Sequence, residues 1–331
     1  MAMSTPFLIS ASDVKPIAVS WLWEGWIPAG KLSLIDGDPG CGKTTIALDL
    51  VARITSGTAM PDGEASDPCN AVFISAEDDS CDTLLPRLNE AGADSTRVKF
   101  LHPESPIPVL LKDSTWLASQ IAEHDFKLVV FDTMMAFLGS KTDSYRDQEV
   151  RQALTPLVRA AQETGAAVLA IRHNTKSGGQ LAIHRGMGSV AFSGLARTVL
   201  SVGRHPDGKS MVLAQAKCNL GKDLRSKHFT LEGSNGVPTI AWGPPCDLSA
   251  DDLGVLVPVS SGLLAAAKGW LVETLTEGPM IGTDVKDLAD LFEITPITLR
   301  RAREELGIQT SKRENKTWWS LPTQLDQDDQ G

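Results

Sequence analysis

Cysteine is scarce and unpatterned in this chain. Its five cysteines, Cys41, Cys69, Cys81, Cys218 and Cys246, are odd in number, scattered and never spaced as Cys-x-x-Cys. That excludes a disulfide framework and a structural zinc site, and leaves reduced thiols of the kind a cytoplasmic protein carries. Long apolar runs are missing too: none approaches the roughly 20 residues of a membrane-spanning helix, so no membrane partner is expected. The start, MAMSTPFLIS, lacks the basic region, apolar stretch and small-residue cleavage site of a secretory signal, and nothing points to export. Positive charge is in deficit, with 31 Lys+Arg against 41 Asp+Glu for a net of −10. Taken alone, that sum disfavours a nucleic-acid partner, because phosphate binding needs clustered Lys and Arg.

What is present is an ordinary globular composition, 42% hydrophobic and 22% charged over 331 residues, with length for about two domains. The charge is unevenly placed. Residues 62–149 hold 17 Asp+Glu against 7 Lys+Arg, whereas residues 172–227 hold 10 Lys+Arg against 2 Asp. A local excess of cations therefore hides inside an acidic total.

Short apolar runs of strand character, LSLI at 32–35, AVFISA at 71–76, KLVVF at 127–131 and AAVLAI at 166–171, alternate with helix-compatible segments near 43–56, 80–91, 114–124 and 147–164. This alternation predicts an α/β fold with a mainly parallel sheet covered on both faces. From about residue 195 the strands come close together, in ARTVLSVG, SMVLAQAK, SKHFTLEG and VPTIAW, as an antiparallel extension of the same sheet would. The first domain is read as 1–242, followed at 243–262 by a Pro-, Gly-, Ser- and Asp-rich linker. A second domain is read at 263–322: a helix over 263–275, one over DVKDLADLF capped by Thr283 or Asp284, one over PITLRRAREEL with Pro296 first and Gly307 just past its end, then a hairpin in SKRENKTWWSLP. Three helices and a hairpin resemble a winged helix-turn-helix. The last residues, 323–331, read as a disordered acidic tail.

The strongest chemical signal is GDPGCGKT: Gly37, Asp38, Pro39, Gly40, Cys41, Gly42, Lys43 and Thr44, with Thr45 next, placed between a strand and a helix. Glycines there let successive amides face a triphosphate at a helix N-terminus, Lys43 can bridge the β- and γ-phosphates, and Thr44 can ligate magnesium. ATP and Mg2+ are the expected ligands. Asp132 ends the run LVVFD, where a second carboxylate is needed to hold the metal. Glu77 follows AVFISA at the carboxyl end of a neighbouring strand and can activate water, although with Asp78 and Asp79 it also reads as an acidic turn capping the next helix. His173 ends AAVLAIRH at the same sheet edge, within reach of a γ-phosphate.

Together the ordered pieces WIPAGKLSLIDGDPGCGKTT, FISAEDD, LVVFDTMMAFL, IRHNTK and HRGMGSVAFSGLARTVLSV, spanning about 20–242, resemble the RecA-fold ATPases of the RepA-like group. These are hexameric replicative helicases of plasmids and phages, also described as AAA family ATPases, and similar ATPases often carry a C-terminal winged helix. The resemblance implies that Glu77 activates water, Asp132 supports magnesium and His173 senses the γ-phosphate. It also implies that Arg197 is an arginine finger reaching a neighbouring copy, with Lys217 near that interface as a further nucleotide-binding residue. It further implies a homo-oligomer, a hexamer, acting on single-stranded DNA, with duplex DNA or replication proteins as further partners of the winged helix. The loop after His173 would face the channel, making Lys176 and Arg185 candidate DNA contacts, or would instead close over the nucleotide. That loop holds no aromatic residue, so contact would be phosphate electrostatics. Arg300 and Arg301 on the third C-terminal helix are candidate duplex contacts. The alternative reading is a non-helicase RecA-like ATPase serving as a regulatory or recombination-accessory DNA-binding factor. A small-molecule phosphotransferase would need an acceptor pocket and lid, and a finger-like Arg197 speaks against it.

Overall fold

The computed structural model describes residues 8–102, 104–105, 110–139, 142–175, 181–205, 208–233, 236–254, 261–292, 294–313 and 316–322. Lys176, part of the linker and the tail 323–331 lie outside them. The first unit contains β1 (Trp21–Trp23), β2 (Ile27–Pro28), β3 (Leu32–Gly37), α1 (Lys43–Ser56), β4 (Asn70–Ser75), α2 (Leu85–Glu90), β5 (Val98–Phe100), α3 (Leu110–Glu123) and β6 (Phe126–Asp132). It continues through α4 (Asp147–Thr164), β7 (Ala167–His173), α5 (Ala191–Leu195), β8 (Thr198–Arg204), β9 (Met211–Cys218), β10 (Ser226–Glu232) and β11 (Thr239–Cys246).

Nine of these strands form one sheet in the order β11-β10-β9-β8-β3-β7-β6-β4-β5. From β8 to β5 every pairing is parallel, and from β8 to β11 every pairing is antiparallel. This is the α/β architecture the alternation predicts. All six residues of β3 are buried, because helices cover both faces of a central parallel strand. Ile35 joins α1 residues such as Ile46, Leu50 and Ile54 on one face, while Leu34 joins Leu117 of α3, Val150 of α4 and Phe192 of α5 on the other. Truncating a side chain such as Leu50 to alanine would cost about 2–5 kcal/mol through lost contacts and the cavity left. Trp23 and Trp26 stack with ring centroids 5.1 Å apart and are buried in the α1-side core, a packing role rather than a ligand platform.

Strand β5 carried no readable pattern, since three residues are too few for periodicity. Its pairing to β4 through Ala71–Val98 and Phe73–Phe100 makes it a strand. The segment after Glu77 opens with a wide turn over Ser80–Leu84 before α2, and Asp79 caps it by accepting from the Cys81 and Asp82 amides.

The chain divides into two compact units, Met1–Val255 and Leu256–Gly331. The second contains α6 (Ser261–Thr276), β12 (Met280–Ile281), α7 (Gly282–Leu291), α8 (Pro296–Glu305), β13 (Gln309–Arg313) and β14 (Lys316–Ser320), with sheet order β12-β14-β13. Leu271, Leu275, Val285, Leu299 and Trp319 fill its core. Thr295 caps α8 by accepting from the Thr298 amide, and Gly307 adopts φ +64° just past its end. The expected Thr283 or Asp284 cap on α7 is not used. Strand β12 pairs with Trp318 and Trp319 and runs straight into the helix, so α7 starts at Gly282, where a Cβ would lie 2.7 Å from Trp319 Nε1. Among the described residues no helix is long and apolar enough to cross a membrane.

Candidate nucleotide site

Strand β3 delivers Gly37 to the carboxyl edge of the sheet, and α1 begins at Lys43, leaving five residues to turn between them. Gly40 and Gly42 adopt φ +74° and +90°, conformations open to glycine at little cost. A Cβ on Gly37 would meet Val202 O at 2.6 Å and Cys41 Sγ at 2.7 Å, so a side chain there would push the loop away. No side chain caps the N-terminus of α1. Its first amides and the positive end of its dipole are thus available to an anion. Lys43 is 5% exposed, and Nζ donates to Gly37 O and Asp38 O, both at 2.9 Å. Both acceptors are neutral backbone carbonyls. Burial raises the pKa of the Cys41 thiol, with Lys43 opposing that shift.

Next to the loop, Thr44 Oγ1 donates to Asp132 Oδ2 at 2.7 Å. Asp132 ends β6 at 3% exposure, and its pKa is pushed up to about 6, first by burial and further by Glu77 and Asp78, against the Thr44 hydrogen bond and Lys43. A carboxylate so disfavoured in its charged form calls for a cation. The donors are hard oxygens, a hydroxyl and one carboxylate. Among the described residues no group of three or more His, Cys, Asp or Glu could hold a metal. That set fits Mg2+, which binds through one or two carboxylates and completes its shell with water and phosphate oxygens, and does not fit a self-sufficient protein cage.

Glu77 lies just past β4, and its Oε1 accepts from Thr133 Oγ1 at 3.0 Å. His173 is paired in register with Gly37, and its Nε2 is 3.8 Å from Glu77 Oε2. His173 Nδ1 is buried without a hydrogen-bond partner, a polar atom waiting for one. Glu77 also lines a cavity of about 300 Å³ together with Phe73, Asp78, Leu84, Phe100 and His102. Five residues read from the sequence, Lys43, Thr44, Glu77, Asp132 and His173, therefore converge on one edge of the sheet. A carboxylate beside a phosphate loop and a metal-type hydroxyl–carboxylate pair can orient and deprotonate a water for attack on a phosphoryl group.

The other candidates lie elsewhere. Arg197 precedes β8 next to Leu32, its amide donating to Leu32 O, at the opposite end of the sheet from Gly37. Five strand steps separate it from Val202, the register partner of Gly37, about 16 Å at 3.3 Å per residue. Its side chain is exposed. Lys217 sits at the same end, where an irregularity in the β8–β9 register turns it inward. Its Nζ donates to Ser193 O at 2.6 Å and Ala196 O at 2.9 Å, and burial, then Arg197, lowers its pKa. Lys217 thus fastens the turn that carries Arg197 and touches no part of the phosphate loop. Arg185 donates to Ala250 O at 3.0 Å and Asp251 O at 2.6 Å, so its guanidinium is engaged within the unit. In the second unit Arg301 Nε donates to Glu305 Oε1 at 3.1 Å, Arg303 stacks over Trp319 at 5.0 Å, and Arg300 is half-buried.

Sequence reasoning missed several supporting residues. Thr133, directly after Asp132, holds Glu77. Asn174, directly after His173, donates Nδ2 to Asp38 Oδ1 at 3.1 Å. Asp36 and Arg172, directly before Gly37 and His173, form a bidentate pair at 2.9 and 2.6 Å, each side chain 1% exposed. The available signal was two opposite charges ending two otherwise apolar strands. A buried pair of this kind offsets its own desolvation only with full hydrogen bonding, and specifies register more than it adds stability.

Phosphate loop, hydroxyl–carboxylate pair and sheet order define a P-loop ATPase core of the RecA-like type. A family model described as an AAA domain matches residues 2–179, more than half of the chain, and the chain belongs to that family. It is similar to the DNA repair protein RadA of Halalkalibacterium halodurans, 28% identical over 156 residues, covering 46% of this chain and 30% of that protein. The Bacillus subtilis protein of the same name is 27% identical over the same length, with the same coverage. The one from Pseudomonas aeruginosa is 25% identical over 201 residues, covering 60% of this chain and 38% of the relative. The chain thus spans 30 to 38% of the length of these curated relatives.

Proposed function

We propose that this chain is a magnesium-dependent ATPase that acts on DNA as a ring of its own copies, a hexamer, in the manner of the RepA-like replicative helicases. In this reading the α1 amides and Lys43 bind the triphosphate, and Thr44 and Asp132 hold Mg2+, which would neutralise charge on the phosphates. Glu77, oriented by Thr133, takes the proton of the attacking water. His173, with Nδ1 open, reports on the terminal phosphate. The observation that carries the assembly is the separation of Arg197 from its own phosphate loop by about 16 Å of strand. An exposed guanidinium there serves a phosphate only on another copy, and makes turnover depend on assembly. The printed name of the RadA relatives, a DNA repair protein, supports DNA as the polymer. The C-terminal unit, three helices and a hairpin, is read as a winged helix for duplex DNA or a replication partner. Its contact would come through exposed Lys312, Arg313 and Lys316 of the hairpin more than through Arg301, already tied to Glu305.

ATP hydrolysis with and without single-stranded DNA, mass measurement with nucleotide, and unwinding of a forked duplex test the reading together. Stimulation by DNA, a multimer of fixed size and strand displacement are expected. A monomer indifferent to DNA overturns it. The engagement of Arg185 with Ala250 and Asp251 favours a second reading, a RecA-like ATPase that binds DNA without translocating. DNA stimulation and assembly without displacement of a forked strand would select it.

A further inference from the structure

The buried pair Asp36–Arg172 does more than close two strands. Both residues face the side of the sheet away from α1, and Arg172 Nη1 reaches Met187 O at 3.3 Å while its guanidinium lies 4.9 Å from the Phe192 ring centroid. Met187 belongs to the limb by which the chain returns after His173. That limb is stitched back to the site strand by Thr175 N to Arg185 O at 2.7 Å, Met187 N to His173 O at 2.8 Å and a bridge between Asn174 and Gly186. Between them, Gly186 lies so close to the pair that a Cβ would sit 2.7 Å from both Arg172 Cζ and Asp36 Oδ2. On its other side the limb is tied to residues 250–251: Arg185 donates to their carbonyls, and Ala182 N donates to Asp251 Oδ1 at 2.6 Å. Three segments thus pivot on one ion pair: the strand entering the phosphate loop, the strand entering His173, and the returning limb.

We propose that Asp36 and Arg172 are positioning residues that couple the phosphate loop to the limb 185–189 and, through Arg185, to residues 248–254 at the end of the first unit. The inference rests on the nucleotide-site reading above. A tightly packed, fully hydrogen-bonded pair transmits displacement because neither partner can move alone without stranding a buried charge. Any displacement of Gly37 and Asp38 on filling the phosphate loop would reach Asp36, which directly precedes Gly37, and the guanidinium would carry it to Met187.

Amide hydrogen exchange on the full chain tests it, using a slowly hydrolysed ATP analogue with Mg2+ as the probe. In the wild type the analogue should slow exchange of residues 185–189 and 248–254 at least fivefold. Arg172→Lys keeps the charge and loses the bidentate fork, and Gly186→Ala pushes the limb off the pair while keeping both charges. Both should bind the analogue within threefold of wild type, and the protection should fall below twofold. Protection that survives in both variants overturns the proposal, as does its absence in a wild type that binds the analogue. A loss of analogue affinity in step with a loss of fold, read by circular dichroism in both variants, makes the pair a folding element and overturns it too. A wild type that binds no analogue overturns the nucleotide reading itself.

Discussion

The two ends of the large sheet handle charge in opposite ways. At the carboxyl edge of β3, β4, β6 and β7, Lys43, Thr44, Asp132, Glu77 and His173 crowd together, held by contacts of 2.7 to 3.8 Å, with Thr133 and Asn174 directly after Asp132 and His173 adding further hydrogen bonds. At the other end Arg197 stands exposed, beside a lysine whose charge is spent on two carbonyls. The first region gathers its residues within one chain, whereas Arg197 lies about 16 Å of strand away from the phosphate loop of its own chain. That separation is the basis of the proposed assembly.

The sharpest way to break this comparison is Lys43→Ala, which should abolish triphosphate binding and hydrolysis together. Retained affinity, read with a fluorescent ATP analogue, would show that Lys43 does not hold the triphosphate. Arg197→Ala should lower turnover by about 10³-fold or more, as removal of an arginine finger does, with nucleotide affinity unchanged. Glu77→Gln should lower turnover by about 10²–10⁴-fold while binding is kept. Mixing the Arg197→Ala and Glu77→Gln proteins should then restore part of the hydrolysis through sites with an intact residue of each kind. No recovery in verified mixed rings would mean that the two ends of the sheet serve the same chain.

Stability separates the two regions further. Asp132, at about 6 in the metal-free fold against an ordinary 3.8, makes the folded state hold its proton longer than the unfolded chain. Stability of the metal-free protein should thus fall as pH rises from about 4 through 6, by on the order of 3 kcal/mol. Asp132→Asn should raise the metal-free Tm at pH 7.5 by several degrees and erase stabilisation by Mg2+ with nucleotide. Equal melting curves for the two proteins at pH 7.5 would contradict a buried, strained carboxylate. The smallest effect is Lys217→Met, which removes the donor holding Ser193 and Ala196. About a tenfold loss of turnover is expected, with triphosphate affinity unchanged. Any change in affinity would bring Lys217 back to the nucleotide.

Much of this was legible in advance, for a physical reason. Phosphate loops need glycine at fixed offsets between a strand and a helix, and parallel strands bury both faces, so GDPGCGKT and the apolar runs ending at Asp132 and His173 announce themselves. Thr133 and Asn174 were not legible, because each acts on a residue dozens of positions or more away and has no periodic signature; the Asp36–Arg172 pair left only two opposite charges near the ends of apolar strands, without a sign that they meet. Strand β5 was missed for its brevity. The cap of α7 was misassigned because strand pairing, invisible in a local window, set where the helix begins.

By itself the sequence determined the class of chemistry and the sheet that carries it, since residue type and spacing control backbone turns and burial. It also held the unequal charge beneath a net of −10. Only the tertiary structure decided where those cations go. Lys217 and Arg185 are held by carbonyls of their own unit, Arg172 is buried against Asp36, and Arg197 is left exposed at the far end. Which charge is free to meet a partner depends on register and on who is packed beside it, and a linear order of residues does not contain that.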